Sequence, residues 1–172
     1  MSVQWAFVDE SKEKKYTLVA TIIPGAHLVK TRKAMRALLA PGQTRIHFKN
    51  ESPQRRRKIL AAISLLIHQN LYSTSSRPKN KDARTECLES LIPELLRNGV
   101  TKIVFEADES LVQAERRYLA AVISQLPEGQ ELMFEHLAPR QEPCLWIPDA
   151  VAWSVQRGGE WSRKVLVARV AG

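Results

Sequence analysis

Residues 4–23 read QWAFVDESKEKKYTLVATII. Two runs rich in β-branched and aromatic residues, residues 3–9 (VQWAFVD) and 16–23 (YTLVATII), flank a polar stretch from Asp9 to Lys15 short enough to be a hairpin loop. The first run ends on two adjacent carboxylates, Asp9 and Glu10, with Ser11 next. Ionised acids at the end of a buried strand are costly unless something compensates them. The chain is otherwise strongly basic, with 26 Lys and Arg against 18 Asp and Glu, a net charge of +8. That balance points to a polyanionic partner, nucleic acid first among them.

Working outward, Pro24 and Gly25 close the second run, and Leu28, Val29, Met35, Leu38 and Leu39 space out as an amphipathic helix ended by Pro41-Gly42. TRIHF (44–48) is a short strand candidate. Ser52 as N-cap and Pro53 at the first helical position open a helix running through RRRKILAAISLLIH. NLYSTSS (70–76) reads as a strand, and residues 81–99 as a helix stopped by Gly99, with Pro93 set to kink or restart it. VTKIVFEAD (100–108) is a strand, and residues 110–126 a helix capped by Ser110. QELMFEHLA (130–138) is a strand, residues 144–158 a helix, and SRKVLVARV (162–170) a tail of undecided type. A hairpin followed by alternating helices and strands predicts an α/β sheet with helices on its faces.

The length of 172 residues, 44% hydrophobic and 26% charged, suits one domain over residues 1–172 with one sizeable core. No run approaches 18 uncharged apolar residues, and the polar Ser2 followed by Asp9 does not read as a signal peptide, so a cytoplasmic protein with no membrane partner is expected. Cys87 and Cys144 form no CxxC pair and read as two reduced thiols. There is no GxxxxGK[ST], GxGxxG, HExxH or GxSxG. Ser11 and Cys144 lack a nearby base for nucleophilic work. The tail KVLVARVAG (164–172), or an exposed strand edge, could pair two chains into a homodimer.

Two strands run into acids, FVDES (7–11) and FEADES (105–110). In open α/β sheets functional groups gather at the carboxyl ends of strands, so Asp9, Glu10, Glu106, Asp108 and Glu109 can meet if these strands are neighbours. Asp149 intrudes into an apolar helix, LWIPDAVAW (145–153), which marks it as paired or facing a site. Such carboxylates suit Mg²⁺ or Mn²⁺, and two ions ~3.5–4 Å apart serve phosphodiester cleavage. His47 stands at the end of the short strand candidate TRIHF and could be a ligand, proton shuttle or phosphate contact. Lys49, Arg55 and Arg56 in FKNESPQRRRK (48–58) are candidate phosphate contacts. His27, His68 and His136 have no usable spacing and read as structural.

FVDES, RIHF (45–48), IVFEADES (103–110) and LWIPDAVAW, in that order, resemble domain-of-unknown-function family 3800, over residues 3–158. The resemblance implies a ribonuclease H-like mixed sheet with an N-terminal β-hairpin and helices on both faces. It matches Asp9 to the first-strand aspartate, Asp149 to that of the closing helix, and Asp108, with Glu106 as the alternative, to the central acid. His47 matches a histidine that follows a strand in that family. Lys12 stands where the family has glycine, and Trp146-Ile147-Pro148 replaces an LQLA-like lead-in. The implied activity is a Mg²⁺- or Mn²⁺-dependent nuclease with Asp9, Glu10, His47, Asp108 and Asp149 catalytic and Glu106 assisting at the metal. The alternative is a non-catalytic module binding nucleic acid or protein.

Overall fold

A computed structural model describes residues 3–170; the start at Ser2 and the last two residues of the KVLVARVAG tail lie outside the described residues. Strands β1 (Gln4–Ser11) and β2 (Tyr16–Pro24) form the expected antiparallel hairpin, with Asp9 opposite Val19 and Ser11 opposite Thr17. The two acids therefore lie inside the ladder of β1 and not in the loop, because the polar turn needs only residues 12–15. Strand β4 (Val100–Glu106) runs parallel to β1 on its other side, with Phe7 opposite Val104 and Val8 opposite Phe105. Strand β3 (Gln69–Ser75) pairs antiparallel with β2, and β5 (Met133–Leu137) parallel with β4. The tail returns to its own sheet, where β6 (Ala168–Arg169) pairs parallel with β3. The mixed sheet runs β5-β4-β1-β2-β3-β6.

Helices cover both faces. Side chains alternate along a strand, so β1, β2 and β4 each supply two layers. Phe7, Val19, Ile23 and Val104 pack with Met35, Ile59, Ile63 and Trp146 of α1 (Leu28–Arg36), α2 (Pro53–Ser64) and α5 (Trp146–Arg157). Ala6, Val8, Leu18, Ile103 and Phe105 pack with Cys87, Leu91 and Leu119 of α3 (Asn80–Arg97) and α4 (Glu109–Ser124). The two cysteines are free, buried thiols, Cys87 in the α3 layer and Cys144 in the α5 layer. A short α6 (Glu160–Arg163) follows α5. No helix among the described residues is long and apolar enough to cross a membrane.

Helix α5 positions the site. It packs on β1 and β2, and Trp146, Ile147, Ala150, Val151, Ala152 and Trp153 are buried. Its small residues let its backbone approach the sheet. Pro148 falls at the third helical position, where a backbone N–H would have no helical acceptor, so the helix starts before it without penalty.

Three local expectations differ. Residues 44–48 form no strand; they are irregular and enter a 3₁₀ turn at Phe48–Asn50. Ile46 and Phe48 are fully buried, and the Phe48 N–H, which a ladder would have used, donates to Asp149 Oδ2 at 2.9 Å. Helix α3 continues through Pro93, which is exposed, so water can satisfy the carbonyl freed at Glu89. The cap of α4 is Asp108, two residues earlier than Ser110, because a carboxylate at that place accepts from Ser110 N and Oγ at 3.0 and 2.6 Å.

Trp146 is almost fully buried and its Nε1 donates to the Pro139 carbonyl at 2.7 Å. Trp146→Ala is expected to cost about 3–5 kcal/mol in urea denaturation, with the slope of the transition unchanged.

Candidate functional site

Strand alternation sorts the acids. Asp9 shares the parity of Phe7 and faces the α5 layer, whereas Glu10 shares that of Val8 and leans toward α3. Glu106 shares the parity of Val104, and the β1–β4 register carries it alongside Asp9. Asp149, in the first turn of α5, comes down on the same edge. A cleft of about 430 Å³ opens there, lined by Asp9, Glu10, Glu106, Asp149, Arg45 and His47, with Ser11, Lys12, Lys49 and Trp153 also in its walls.

Burial and mutual repulsion dominate its electrostatics. The Asp9 carboxyl is pushed well above the usual range, first by burial, then by the charges of Asp149, Glu106 and Glu10, with a carboxyl–carboxyl hydrogen bond to Glu106 adding to it. Burial is also the main force raising Asp149 to about 6; the Phe48 N–H and the charge of Arg45 hold it from going higher. His47 is pushed down by burial and by Arg45 and Lys49, so it is neutral at pH 7. Its Nδ1 lies 3.3 Å from the Asn50 amide nitrogen, a donor, which leaves the ring proton on Nε2.

The structure thus brings Asp9, Glu10, Glu106, Asp149, His47 and Lys49 to one cleft. Asp108 is not in its lining: the strand has ended at Glu106, and the Asp108 carboxylate is held by Ser110, which also lowers its pKa. Two of the expected phosphate contacts are engaged internally. Arg55 donates to Leu38 O, Gln43 and Glu51, and Arg56 donates to the carbonyls of Phe48 and Lys49 while stacking 4.2 Å from the Trp153 ring centre. Both clasp the loop that carries His47. Cys144 is buried against Glu142 and its thiol is pushed up, first by burial, which makes it a poor nucleophile.

Glu10 is held differently from the other acids. Arg84 of α3 donates to it at 3.0 Å and to Tyr16 at 3.2 Å, and also pairs with Glu115 of α4. His136 of β5 closes the set at 2.8 Å from Glu115. Arg84 and Glu115 are each about 95% buried. Sequence inspection passed over them, although both interrupt apolar stripes: Arg84 precedes Leu88 and Leu91 by four and seven residues, and Glu115 precedes Leu119 by four. Opposite charges on the buried stripes of two helices are a legible sign of an interior ion pair. Arg45 was also passed over, and its Nη1 lies 3.7 Å from Glu106 Oε1.

The cleft's donors are carboxylate oxygens, which suit hard cations such as Mg²⁺. Among the described residues no three His, Cys, Asp or Glu side chains are drawn together as a finished ligand group. Mg²⁺ usually takes only one or two protein carboxylates, water completing its octahedron, so the donor set fits an open site.

No family model and no curated protein sequence matches the chain. Among solved structures it is similar to ribonuclease HII of Archaeoglobus fulgidus, seen in complex with PCNA, with a TM-score of 0.52 and 16% identity over 91% of this chain and 73% of that one. It also resembles Bst ribonuclease HIII, seen with Mn²⁺, at a TM-score of 0.48 and 12% identity over 89% of this chain and 51% of that one. The chain spans about half the length of that second protein. The first likeness shows the fold, which is of the ribonuclease H type.

Two outcomes follow from the electrostatics. Asp149 binds its proton more tightly in the fold than at the ~3.9 of an unfolded chain, so its contribution to stability is fully present below about pH 4 and lost as pH rises through about 6. In chelator, Asp149→Asn is expected to raise stability at pH 7.5 by on the order of 2 kcal/mol and to have little effect at pH 4, read by thermal melts at both values. Arg84→Met strands Glu115 in the interior and is expected to cost about 3–5 kcal/mol in urea, part of it recovered by adding Glu115→Gln.

Proposed function

We propose that the chain is a divalent-metal-dependent nuclease acting on nucleic-acid phosphodiester bonds. The observation that carries this reading is the gathering of Asp9, Glu106 and Asp149 in one cleft where burial and repulsion raise two of them. Carboxylates that destabilise one another are maintained where a cation or a reaction needs them. The ribonuclease H-type fold and the motif resemblance to family 3800 both support it.

Asp9, Glu106 and Asp149 would hold Mg²⁺ or Mn²⁺, with Glu10 assisting from the rim. When bound, the ion supplies a more acidic water and positive charge for the phosphate. The chain's own residues do the rest. Phe48 N–H, donating to Asp149 Oδ2, fixes the Asp149 carboxylate in place. Neutral His47, with its proton on Nε2, can donate a hydrogen bond to a phosphate oxygen, and the leaving oxygen takes its proton from solvent. Lys12 and Lys49, both exposed beside the cleft, meet the phosphates flanking the scissile bond. Trp153, one face under Arg56, closes the inner wall against water.

A second reading, a ribonuclease H-like module that binds nucleic acid without cleaving it, shares the basic charge but not the need for a metal. Metal titration separates the two. Calorimetry with Mn²⁺ is expected to reveal a site whose affinity falls about tenfold or more in Asp9→Asn and Asp149→Asn. The same variants are expected to lose cleavage of a panel comprising RNA–DNA hybrid, RNA and DNA. No heat of binding and no cleavage in the wild type would leave the binding module as the function.

A further inference from the structure

Arg45 sits among the carboxylates of the cleft, yet it is less satisfied than the arginines around the site, Arg55, Arg56 and Arg84. Its Nη1 is 3.7 Å from Glu106 Oε1, longer than the ~2.7–2.9 Å of a charge-assisted hydrogen bond. Its Nε is the one buried side-chain nitrogen or oxygen among the described residues with no hydrogen-bond partner. Arg55, Arg56 and Arg84 use their donors on named carbonyls and carboxylates. Arg45 therefore offers a planar fork of five donors that is only loosely engaged. It lies on the irregular segment between α1 and α2, not on the sheet, and its side chain is 29% exposed.

The charged groups lining the cleft with Arg45 are Asp9 and Glu10 from β1, Lys12 and Glu13 from the hairpin turn, Glu106 from β4 and Asp149 from α5, with His47 and Lys49 on its own segment. One guanidinium cannot balance Asp9, Glu106 and Asp149 together, Glu10 being already held by Arg84. It can hold them together in the absence of a stronger cation, and a divalent ion must compete with it for Glu106. Once displaced, the same fork matches the geometry of a phosphate oxygen pair.

We propose that Arg45 is the cleft's resident counter-cation, which exchanges with the divalent ion at Glu106 and is thereby freed to grip a phosphate of the nucleic-acid substrate. This rests on the nuclease reading above. It makes Arg45 and the metal competitors at one carboxylate and partners at the phosphate, two effects of opposite sign.

The test is Arg45→Gln beside Arg45→Lys in the full chain. In Mn²⁺ calorimetry the Gln variant is expected to bind about three- to tenfold more tightly than wild type, while KM for a cleaved oligonucleotide rises about tenfold. In chelator at pH 8 it is expected to melt at a lower temperature than wild type, whereas the Lys variant, which keeps the charge, is expected to melt like wild type. Unchanged or weaker Mn²⁺ binding by the Gln variant, or a melting loss in chelator that the Lys variant shows equally, would overturn the proposal. Wild-type protein that binds no Mn²⁺ at all would overturn the nuclease reading first, and this exchange with it. Should the Gln variant fail to fold, the wild type still decides. Its Arg45 Nε–H resonance, assigned by its loss in the Lys variant, is expected to move on titration with diamagnetic Mg²⁺, and a resonance that stays in place at saturating Mg²⁺ refutes the exchange.

Discussion

A strand buried on both faces must send successive side chains into opposite layers, and β1 applies that constraint to two adjacent acids. Asp9 goes to the layer of α5 and Glu10 toward the layer of α3. The site follows from this split. The parallel neighbour β4 ends on Glu106 with the same parity as Asp9, and α5 packs on β1 with Asp149 in its first turn. Three carboxylates from a hairpin strand, a crossover strand and a late helix thereby reach one edge of the sheet.

The two sides of β1 deal with charge in different ways. On the α3 side, Arg84, Glu115, Glu10, Tyr16 and His136 form a buried set with direct partners for each charge, so the ions are held and nothing is left open. On the α5 side the carboxylates outnumber their cation, Arg45, whose ion pair is with Glu106, and burial, with repulsion from neighbouring acids behind it, raises the carboxyl pKa of Asp9 and Asp149. A closed ion network is compatible with structure alone. A buried cluster left short of positive charge is a reservoir of unfavourable energy, and such reservoirs gather where chemistry uses them. The basic loop between α1 and α2 belongs to this second side: Arg55 and Arg56 hold it against α2 and Trp153, keeping His47 and Arg45 at the cleft.

Much of this was legible in the residues. The hairpin, the alternation of later helices and strands, and the N-cap and Pro start of α2 follow from local pattern, and the structure bears them out. Motif order also pointed to the ribonuclease H-type architecture that the likeness to ribonuclease HII shows. TRIHF misled because its alternating apolar residues serve a loop buried under α5, where burial without a ladder produces the same pattern as a strand. Asp108 misled for a related reason. Acids after a strand can face a site or cap the next helix, and only the end of the ladder at Glu106 separates the two. Arg84 and Glu115 were readable as charges on apolar stripes, but their mutual contact was not, since it needs α3 and α4 side by side.

What the sequence determined by itself was therefore local and periodic: which segments are strands, which helices carry an apolar face, and that acids stand at the ends of two strands and inside one buried helix. What only the tertiary structure decided was which of those acids share a cleft, which arginines are already held by carbonyls and carboxylates, and which one is left loosely engaged. The reason is range. Backbone propensity and side-chain alternation act over a few residues, whereas the energy of a charge depends on every group within several ångströms, and here those groups come from positions 9, 45, 106 and 149.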